Sequence, residues 1–365
     1  MRIRGFRTGI LRIPLRTPFK TALRTVEIIE DAVICFETDC GHMGYGEAPP
    51  TVAITGDSLE GILEALQTIL GPALLGREVE DVSGNCDIVQ NALPKNTSAK
   101  AAAEIALYDL YAQSRALPLY KALGGGTPRL LTDLTISVNN TPTMLADCES
   151  AIERGFTALK IKVGKRPEAD VPRLQAIHQA VAGRAMLRID ANQGWTADQT
   201  IGTLRILDSA GLYFDLIEQP VPASDVTGMQ AIKAARSRIP LMADESAFNL
   251  DQVKTLHAAS AADIINIKLM KSGGLSNATA IADYCAGLNM PCMMGCMLEG
   301  AISASAAAHL AVARSDIITR IDLDGPLLAT FNPIDGNVRF DDAVITICER
   351  PGLGIHSPTN ITWFD

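Results

Sequence analysis

The sequence lacks a membrane-spanning run and a secretion signal. Its longest apolar stretch, 301–312, is rich in alanine and interrupted by serine and histidine, and it is shorter than the roughly 20 residues that a bilayer crossing requires. The N-terminus alternates charged and apolar residues and offers neither the apolar core nor the cleavage site of a signal peptide. These absences predict a cytoplasmic protein without a membrane partner.

Positive charge and paired cysteines are also scarce. The chain has 32 Lys and Arg against 41 Asp and Glu, a net charge of -9, with no basic cluster along it. A nucleic-acid partner is therefore not expected, because binding to a phosphate backbone needs concentrated positive charge. The 8 cysteines form no CxxC pair, so we expect reduced thiols in the protein core rather than disulfides or a zinc ribbon.

The first third of the chain has a mixed α+β pattern. Alternating apolar residues at 3–13 and 32–37 predict strands of an antiparallel sheet, separated by a polar loop at 17–25. The run from Ser98 has helical composition and spacing, and the three glycines at 124–126 predict its end. A domain boundary at residue 126 follows, with an α+β domain over 1–126.

Beyond residue 126, short apolar runs alternate with helix-like stretches, which is typical of repeated βαβ units. The candidate strands are 134–138, 158–163, 186–190, 213–218, 241–244, 264–268, 291–294 and 321–323. Eight parallel strands with seven helices predict an α/β fold in which residues 127–328 form a compact β/α barrel. An open doubly wound sheet is the alternative, but no GxGxxG follows a strand. A further strand-like run, 343–348, suggests that the tail 329–365 returns to complete the first domain.

Three of the candidate strands end in an acid. Asp190, Glu218 and Asp244 are separated by 28 and 26 residues, one βα unit apart, so a barrel places them on successive strands at one rim. Converging carboxylates suit a hard cation such as Mg²⁺, and without nearby His or Cys they disfavour Zn²⁺. Each acid alone is also typical of the N-cap of a following helix, but their common period favours a site.

Lysines and a second pair of acids occupy other strands. Lys160 and Lys162 are two residues apart and therefore face the same side of their strand. Lys268 lies among apolar residues of the sixth strand, where a charge is costly without a partner. Asp322 and Asp324 share a face of the last strand and suit a ligand ammonium group. Solvent-facing lysines and an Asp-Gly turn are the structural alternatives.

Several motifs together resemble a known family. They are KIK at 160–162, DANQGW at 190–195, EQP at 218–220, ADES at 243–246, INIKLMKSGGL at 265–275 and GCMLEG at 295–300. This set resembles the muconate-lactonizing subgroup of the enolase superfamily, over essentially the whole chain. The IDLDGP motif at 321–326 further resembles the dipeptide epimerases of that subgroup.

The resemblance implies a modified TIM barrel, capped by the N-terminal domain, that acts as an isomerase. The implied reaction is epimerisation of the C-terminal residue of a dipeptide, such as L-Ala-L-Glu to L-Ala-D-Glu, by two-base proton transfer through an enolate. The implied roles are one Mg²⁺ held by Asp190, Glu218 and Asp244, acid/base catalysis by Lys162 and Lys268, and assistance beside the substrate carboxylate by Lys160. We also expect neighbouring cations and partial burial to lower the pKa of these lysines.

Substrate recognition is implied in the same way. Asp322 and Asp324 would hold the free α-ammonium group, and Arg24 would meet an acidic side chain. Thr135 and Met297 are further candidates for substrate contacts. The loops at 17–25 and 50–57 would close over the barrel mouth, and self-association into a homo-oligomer is common among barrels of this class.

Other activities use the same lysines and metal. A cycloisomerase, an o-succinylbenzoate synthase and an N-acylamino acid racemase all remain open, because fold alone does not determine function. Their substrates lack a free ammonium group, so the Asp322 and Asp324 pair favours a dipeptide. A non-catalytic binding protein on the same fold is the alternative from a different class.

Overall fold

The computed structural model describes residues 1–20, 25–164, 166–336 and 338–364. The chain begins with an antiparallel sheet of β1 (Ile3–Lys20), β2 (Thr25–Thr38) and β3 (Met43–Ala48). The predicted loop at 17–25 was too long, because pairing between β1 and β2 continues to Lys20 and Thr25. Phe19 and Val26 face each other across the two strands there, and such aromatic and β-branched pairs stabilise a hairpin.

Helices cover one face of this sheet. They are α1 (Leu59–Ala65), which continues into a π-helical turn (Leu66–Leu70), then α2 (Gly71–Leu74), α3 (Val82–Asn91), α4 (Thr97–Ser114) and α5 (Leu119–Ala122). The predicted helix from Ser98 is confirmed as α4, but it ends at Ser114, where Ala116 just beyond has a left-handed backbone with φ of 51°, a conformation that terminates a helix. β3 packs directly on α4, where a Cβ atom on Gly46 would lie 1.8 Å from the carbonyl oxygen of Ala102.

The second part of the chain contains the predicted barrel together with one short strand, Arg129–Leu131, that lies outside the barrel sheet. Its elements are β4 (Arg129–Leu131), β5 (Leu134–Ile136), α6 (Thr141–Glu153), β6 (Ala158–Lys162), α7 (Pro167–Val181), β7 (Met186–Asp190), α8 (Ala197–Ser209), β8 (Leu216–Glu218), α9 (Val226–Ala234), β9 (Leu241–Ala243), α10 (Leu250–Ala258), β10 (Ile264–Ile267), α11 (Leu269–Ser272), α12 (Leu275–Gly287), β11 (Cys292–Gly295), α13 (Ala301–Ala313), β12 (Ile318–Asp322) and α14 (Gly325–Leu328).

Within the described ranges, β5 to β12 form one parallel sheet of 8 strands in sequential order. The two edges approach each other, because the backbone N–H of Asp133 donates to Ile321 O at 3.1 Å and that of Leu323 donates to Thr132 Oγ1 at 2.9 Å. The barrel is thus confirmed over the doubly wound alternative. Strand ends were less well predicted: β8 begins at Leu216 rather than residue 213, and β12 begins at Ile318 rather than residue 321.

The tail adds β13 (Val338–Asp341), β14 (Val344–Ile347) and β15 (Ile361–Trp363). The run at 343–348, expected to return to the first domain, instead pairs with β4, and β15 makes the return by pairing with β1. The limits of the two domains remain predictions. The 8 cysteines all lie in the described ranges, are free thiols, and are mostly buried. No helix in the described part of the chain has the length and apolarity to cross a bilayer.

Candidate active site

The carboxyl ends of the barrel strands bring the predicted residues to one rim. In the strand register Lys162 lies beside Asp190, and Asp190 lies beside Glu218. Asp244 directly follows β9 and Lys268 directly follows β10. All five side chains are buried. Because parallel strands all end at the same rim of a barrel, the three acids and two lysines share one site.

Lys162 forms an ion pair with the neighbouring acid. Its Nζ donates to Asp190 Oδ2 at 2.5 Å and to Asn192 Oδ1 at 3.0 Å. Asn192 has a left-handed backbone, with φ of 43°, and its N–H donates to Asp190 Oδ1 at 2.8 Å. Both oxygens of Asp190 therefore have donors within the protein.

Two lysines hold Asp244. Lys268 Nζ donates to Asp244 Oδ2 at 2.7 Å, and Lys271 Nζ lies 2.7 Å from Oδ1. Lys271 also donates to the backbone oxygens of Asp244 and Asn266, at 2.6 and 2.8 Å. Burial alone would raise the pKa of Asp244, but the two lysines outweigh it and lower that pKa. Burial lowers the pKa of Lys271 against the attraction of Asp244.

Of the three acids, Glu218 has the fewest hydrogen-bond and ion-pair partners for its carboxylate oxygens among the described residues. Its Oε1 accepts from Asn266 Nδ2 at 2.7 Å, whereas its buried Oε2 has no hydrogen-bond partner in the described part of the chain. Burial, and next the charge of Asp190, raise the pKa of Glu218 well above its ordinary value. A buried carboxylate oxygen without a donor is costly, so this atom is suited to a cation.

The donor set fits a hard divalent cation, although the acids are engaged in ion pairs. In the described ranges, no three His, Cys, Asp or Glu side chains lie close enough together in their present positions to hold a metal ion. Lys162 and Lys268 form ion pairs with Asp190 and Asp244. Three buried carboxylates on successive strands, one with an unpartnered oxygen, are nevertheless the oxygen ligands that Mg²⁺ prefers.

The second acidic pair lies across the cavity. Lys160 forms a buried ion pair with Asp322, and Asp324 Oδ2 accepts from the backbone N–H of Thr135 at 2.6 Å. Burial would lower the pKa of Lys160, but the negative charge of Asp322 and its acidic neighbours raises it well above its ordinary value. The pKa of Lys268 is raised too, against burial, chiefly by Asp244. In this arrangement the pKa of both lysines is raised, because each contacts a carboxylate directly; the lowering expected beside a divalent cation stays a prediction.

The predicted substrate residues line one cavity together with the lysines. Its walls include Phe19, Thr51, Ala53, Ile54, Thr135, Lys160, Lys162, Asn192, Asp244, Glu245, Lys268, Cys296, Met297, Leu298, Asp322, Asp324 and Leu328. The N-terminal part of the chain contributes Phe19, near the end of β1, and Thr51, Ala53 and Ile54 from the loop expected at 50–57, as expected for a cap over the barrel mouth. Asp190 and Glu218 are buried but are not among the residues that line this cavity. Arg24 lies outside the described residues.

The sequence also held residues of the site that the motif analysis did not identify. Lys271 lies three positions after Lys268, Asn266 two before it, and Asn192 two after Asp190. Alternation along a strand puts Asn266 on the same face as Lys268, and this signal could have found it. Gln219 accepts at Oε1 from the backbone N–H groups of Asp244 and Ser246, at 2.9 and 3.2 Å, a long-range contact that no local pattern indicates.

The N-terminal domain is held on the barrel by two buried acids. Asp31 Oδ2 accepts from the N–H of Gly300 at 2.9 Å, and Glu47 Oε2 accepts from those of Ile302 and Ser303 at 2.9 and 3.0 Å. These amides belong to the first turn of α13, where an acceptor satisfies otherwise unpaired donors. The contact fixes the cap against the segment that carries Met297.

Family comparisons agree with this architecture. Residues 7–124 match the N-terminal domain model of mandelate racemase / muconate lactonizing enzyme, and residues 143–358 match the enolase C-terminal domain-like model. A capped barrel with acids and lysines at the strand ends defines this class of protein. The chain belongs to the mandelate racemase / muconate lactonizing enzyme family of the enolase superfamily.

Individual relatives within this family that are similar to the chain include several dipeptide epimerases. The chain is 43% identical over 360 residues to the L-Ala-D/L-Glu epimerase of Clostridium acetobutylicum, covering 99% of this chain and 100% of that one. It superposes on a substrate-liganded L-Ala-D/L-Glu epimerase of Bacillus subtilis with a TM-score of 0.95 and 41% identity, and the match covers 98% of this chain and 100% of that one. The chain also superposes on a dipeptide epimerase of Enterococcus faecalis that is complexed with Mg and L-Leu-L-Tyr. The TM-score is 0.94 and the sequence identity 36%, and the match covers 98% of this chain and 100% of that one.

Proposed function

We propose that this protein is a Mg²⁺-dependent isomerase that epimerises the C-terminal residue of dipeptides, with L-Ala-L-Glu as the first candidate substrate. The observation that carries the proposal is one cavity that contains two opposed lysines and two buried aspartates suited to an ammonium group. The names of the similar proteins support the same activity.

The two catalytic lysines lie on opposite sides of the barrel. Lys162 ends β6 and Lys268 follows β10, four strands away in a sheet of eight among the described residues. A substrate between them presents one face of its α-carbon to each. One lysine, as the amine, removes the α-proton, and the other, as the ammonium ion, donates a proton to the opposite face. The configuration is thereby inverted, and the reverse reaction exchanges the two roles.

The α-proton next to a carboxylate is much less acidic than a lysine ammonium group, so the enolate needs stabilisation by positive charge. Lys160, buried in the middle of β6, would supply one such charge. Asp190, Glu218 and Asp244 would hold Mg²⁺, which when bound supplies a Lewis acid to the developing negative charge. For Lys162 and Lys268 to act on substrate, they must leave the carboxylates that they contact in this structure.

Asp322 and Asp324 distinguish a dipeptide from other substrates of the family. Both are buried carboxyl groups at the cavity wall, and they would bind the α-ammonium group of the N-terminal residue. A muconate, a succinylbenzoate or an N-acylamino acid has no ammonium group at this position. We therefore rank the cycloisomerase, synthase and N-acylamino acid racemase activities below dipeptide epimerisation.

The test is proton NMR in D₂O with Mg²⁺ and L-Ala-L-Glu. We expect the α-proton signal of the C-terminal residue to disappear while the L,D diastereomer appears, and EDTA to stop both changes. Removal of one base, by Lys268→Ala, should abolish epimerisation but leave exchange of the epimer whose α-proton faces Lys162. N-acetylated Ala-Glu and Asp322→Asn are the controls for ammonium recognition. No exchange across a panel of L,L-dipeptides would refute the proposal.

Three expectations stay predictions. Recognition of an acidic side chain by Arg24, self-association into a homo-oligomer and a cytoplasmic location are not tested by the arrangement described above. The first bears on which dipeptide is preferred, since Met297 and Leu298 also present an apolar wall to the cavity.

A further inference from the structure

A buried acid of the N-terminal domain contacts the barrel segment that follows Lys268. Glu104, in the middle of α4, is fully buried. Its Oε2 accepts from the backbone N–H of Ser276 at 2.8 Å, and its Oε1 accepts from Ser276 Oγ at 2.6 Å. Ser276 is the second residue of α12, so Glu104 pairs an N–H group that the helix itself cannot pair. The mechanism proposed above uses neither residue.

Gln90, on α3, extends this contact to the turn before α12. Its Nε2 donates to Glu104 Oε1 and to the carbonyl oxygen of Gly273, both at 2.7 Å. Glu104 thus accepts three hydrogen bonds, two from Ser276 and one from Gln90. An ionised carboxylate only accepts hydrogen bonds, and the amino-terminal end of a helix favours negative charge. The site therefore suits Glu104 as the carboxylate.

Two glycines allow the carboxylate to approach the turn. Gly273 and Gly274 have φ of 84° and 129°, a region that residues with a Cβ atom rarely adopt. A Cβ atom on Gly274 would lie only 2.3 Å from Glu104 Oε2. The carboxylate of Glu104 therefore lies directly against the backbone of the turn and limits where that backbone can move.

The turn is joined to Lys268 by one short helix. α11 covers Leu269–Ser272, directly after Lys268. The carbonyl oxygen of Lys268 accepts from the N–H of Ser272 at 3.1 Å, and that of Leu269 accepts from the N–H of Gly273 at 3.0 Å. Because a single helical turn separates the two ends, a displacement of Gly273 would also move Lys268.

We propose that Glu104 is a positioning residue for Lys268, because it fixes the turn after α11 and thereby the place from which the lysine exchanges a proton with the substrate. The role of Lys268 as a base rests on the proposed function, whereas the contact between Glu104 and the turn does not. Lys162 ends β6 and hydrogen-bonds to Asp190 and Asn192 instead. Loss of Glu104 should therefore impair one base and spare the other.

The test measures α-proton exchange of the two epimers separately, in D₂O with Mg²⁺. Each base exchanges the α-proton that faces it, so L-Ala-L-Glu and L-Ala-D-Glu report on different lysines. Lys268→Ala identifies the epimer that depends on Lys268, since this variant should fail to exchange it. We expect Glu104→Ala to slow exchange of that epimer about tenfold, because small misplacements of a catalytic group are costly. Exchange of the other epimer should stay within about twofold of the wild-type rate.

The matched control is Asp109→Ala, which removes another buried carboxylate from α4. Asp109 accepts from the N–H groups of Tyr45 and Leu353, at 3.1 and 2.8 Å, rather than from the turn. A general loss of stability lowers exchange of both epimers alike, so Asp109→Ala should leave the ratio of the two rates unchanged. Glu104→Gln retains one acceptor oxygen and should shift this ratio in the same direction by a smaller factor, and it serves as the test if Glu104→Ala does not fold.

The outcomes separate this proposal from the proposed function. Equal slowing of both epimers in the Glu104 variants would overturn the positioning role. Failure of the wild type to exchange either epimer, or any other dipeptide, would refute the proposed function instead. Amide hydrogen exchange in the ligand-free protein would then still decide the contact, since amides at 269–276 should exchange faster in Glu104→Ala than in Asp109→Ala, and equal rates would overturn it.

Discussion

Replacement of Lys271 by methionine is the most demanding test of the electrostatics around Asp244. The ammonium group is 1% exposed and makes contacts of 2.6, 2.7 and 2.8 Å with two carbonyl oxygens and a carboxylate. Removing one partner of a buried ion pair costs about 3–5 kcal/mol. Lys268 remains as a second partner of Asp244, so we expect Lys271→Met to lower the free energy of unfolding by about 3 kcal/mol.

Methionine fills nearly the same volume as the lysine stem, so little of this loss should come from a cavity. The assay is urea unfolding followed by tryptophan fluorescence, to which Trp195, buried in the barrel at 2% exposure, and Trp363, in β15, both contribute. The control is Lys254→Met, since Lys254 is half exposed and lies 3.5 Å from an exposed Asp251. That variant should change stability by less than about 0.5 kcal/mol. If Lys271→Met behaved like the control, Lys271 would not be a partner that Asp244 needs.

The remaining predictions concern pH, packing and specificity. Burial lowers the pKa of His309 to about 3, so the stability that this histidine contributes is present above its unfolded pKa of about 6.5 and is lost as the pH falls toward 3. His309→Asn should reduce this loss of stability by about 1 kcal/mol per pH unit. Parallel curves of stability against pH for the two proteins would contradict this prediction. Gly46→Ala places a methyl group 1.8 Å from a backbone carbonyl of α4 and should cost about 3 kcal/mol or more in thermal unfolding, whereas Gly5→Ala, with open space around it in the described structure, should not. Arg24→Ala should reduce kcat/KM for L-Ala-L-Glu more than for a hydrophobic dipeptide, and equal losses would exclude Arg24 from side-chain recognition.

The barrel could be predicted because its signals are local and repeated. Each βα unit ends its strand in a recognisable residue, and the acids at 190, 218 and 244 recur at nearly equal intervals, so their position at one rim follows from the topology alone. Strand ends were less certain. Tyr213 was assigned to a strand on hydrophobicity, yet it is 62% exposed and lies before β8.

Other features depend on contacts between distant parts of the chain. The pairing of β15 with β1 brings residues 361–363 against residues 9–11, and short strands of this kind carry no partner information in their own sequence. The ion pairs of Lys162 and Lys268 with the predicted metal ligands could not be foreseen either. The sequence indicated that the lysines and acids share a cavity, but their mutual pairing depends on distances that only the fold determines.

Under the proposed function, these ion pairs would couple metal binding to catalysis. Asp190 and Asp244 are at once the proposed Mg²⁺ ligands and the present partners of the two proposed bases. Their negative charge favours the ammonium form of a lysine, as the raised pKa of Lys268 illustrates. A lysine that is held in this way is a poor base, and a carboxylate that is held in this way is a poor ligand. Engagement of the carboxylates by a divalent cation would release both lysines toward the substrate, and at Lys268 it would also weaken the attraction that raises the pKa of the ammonium group.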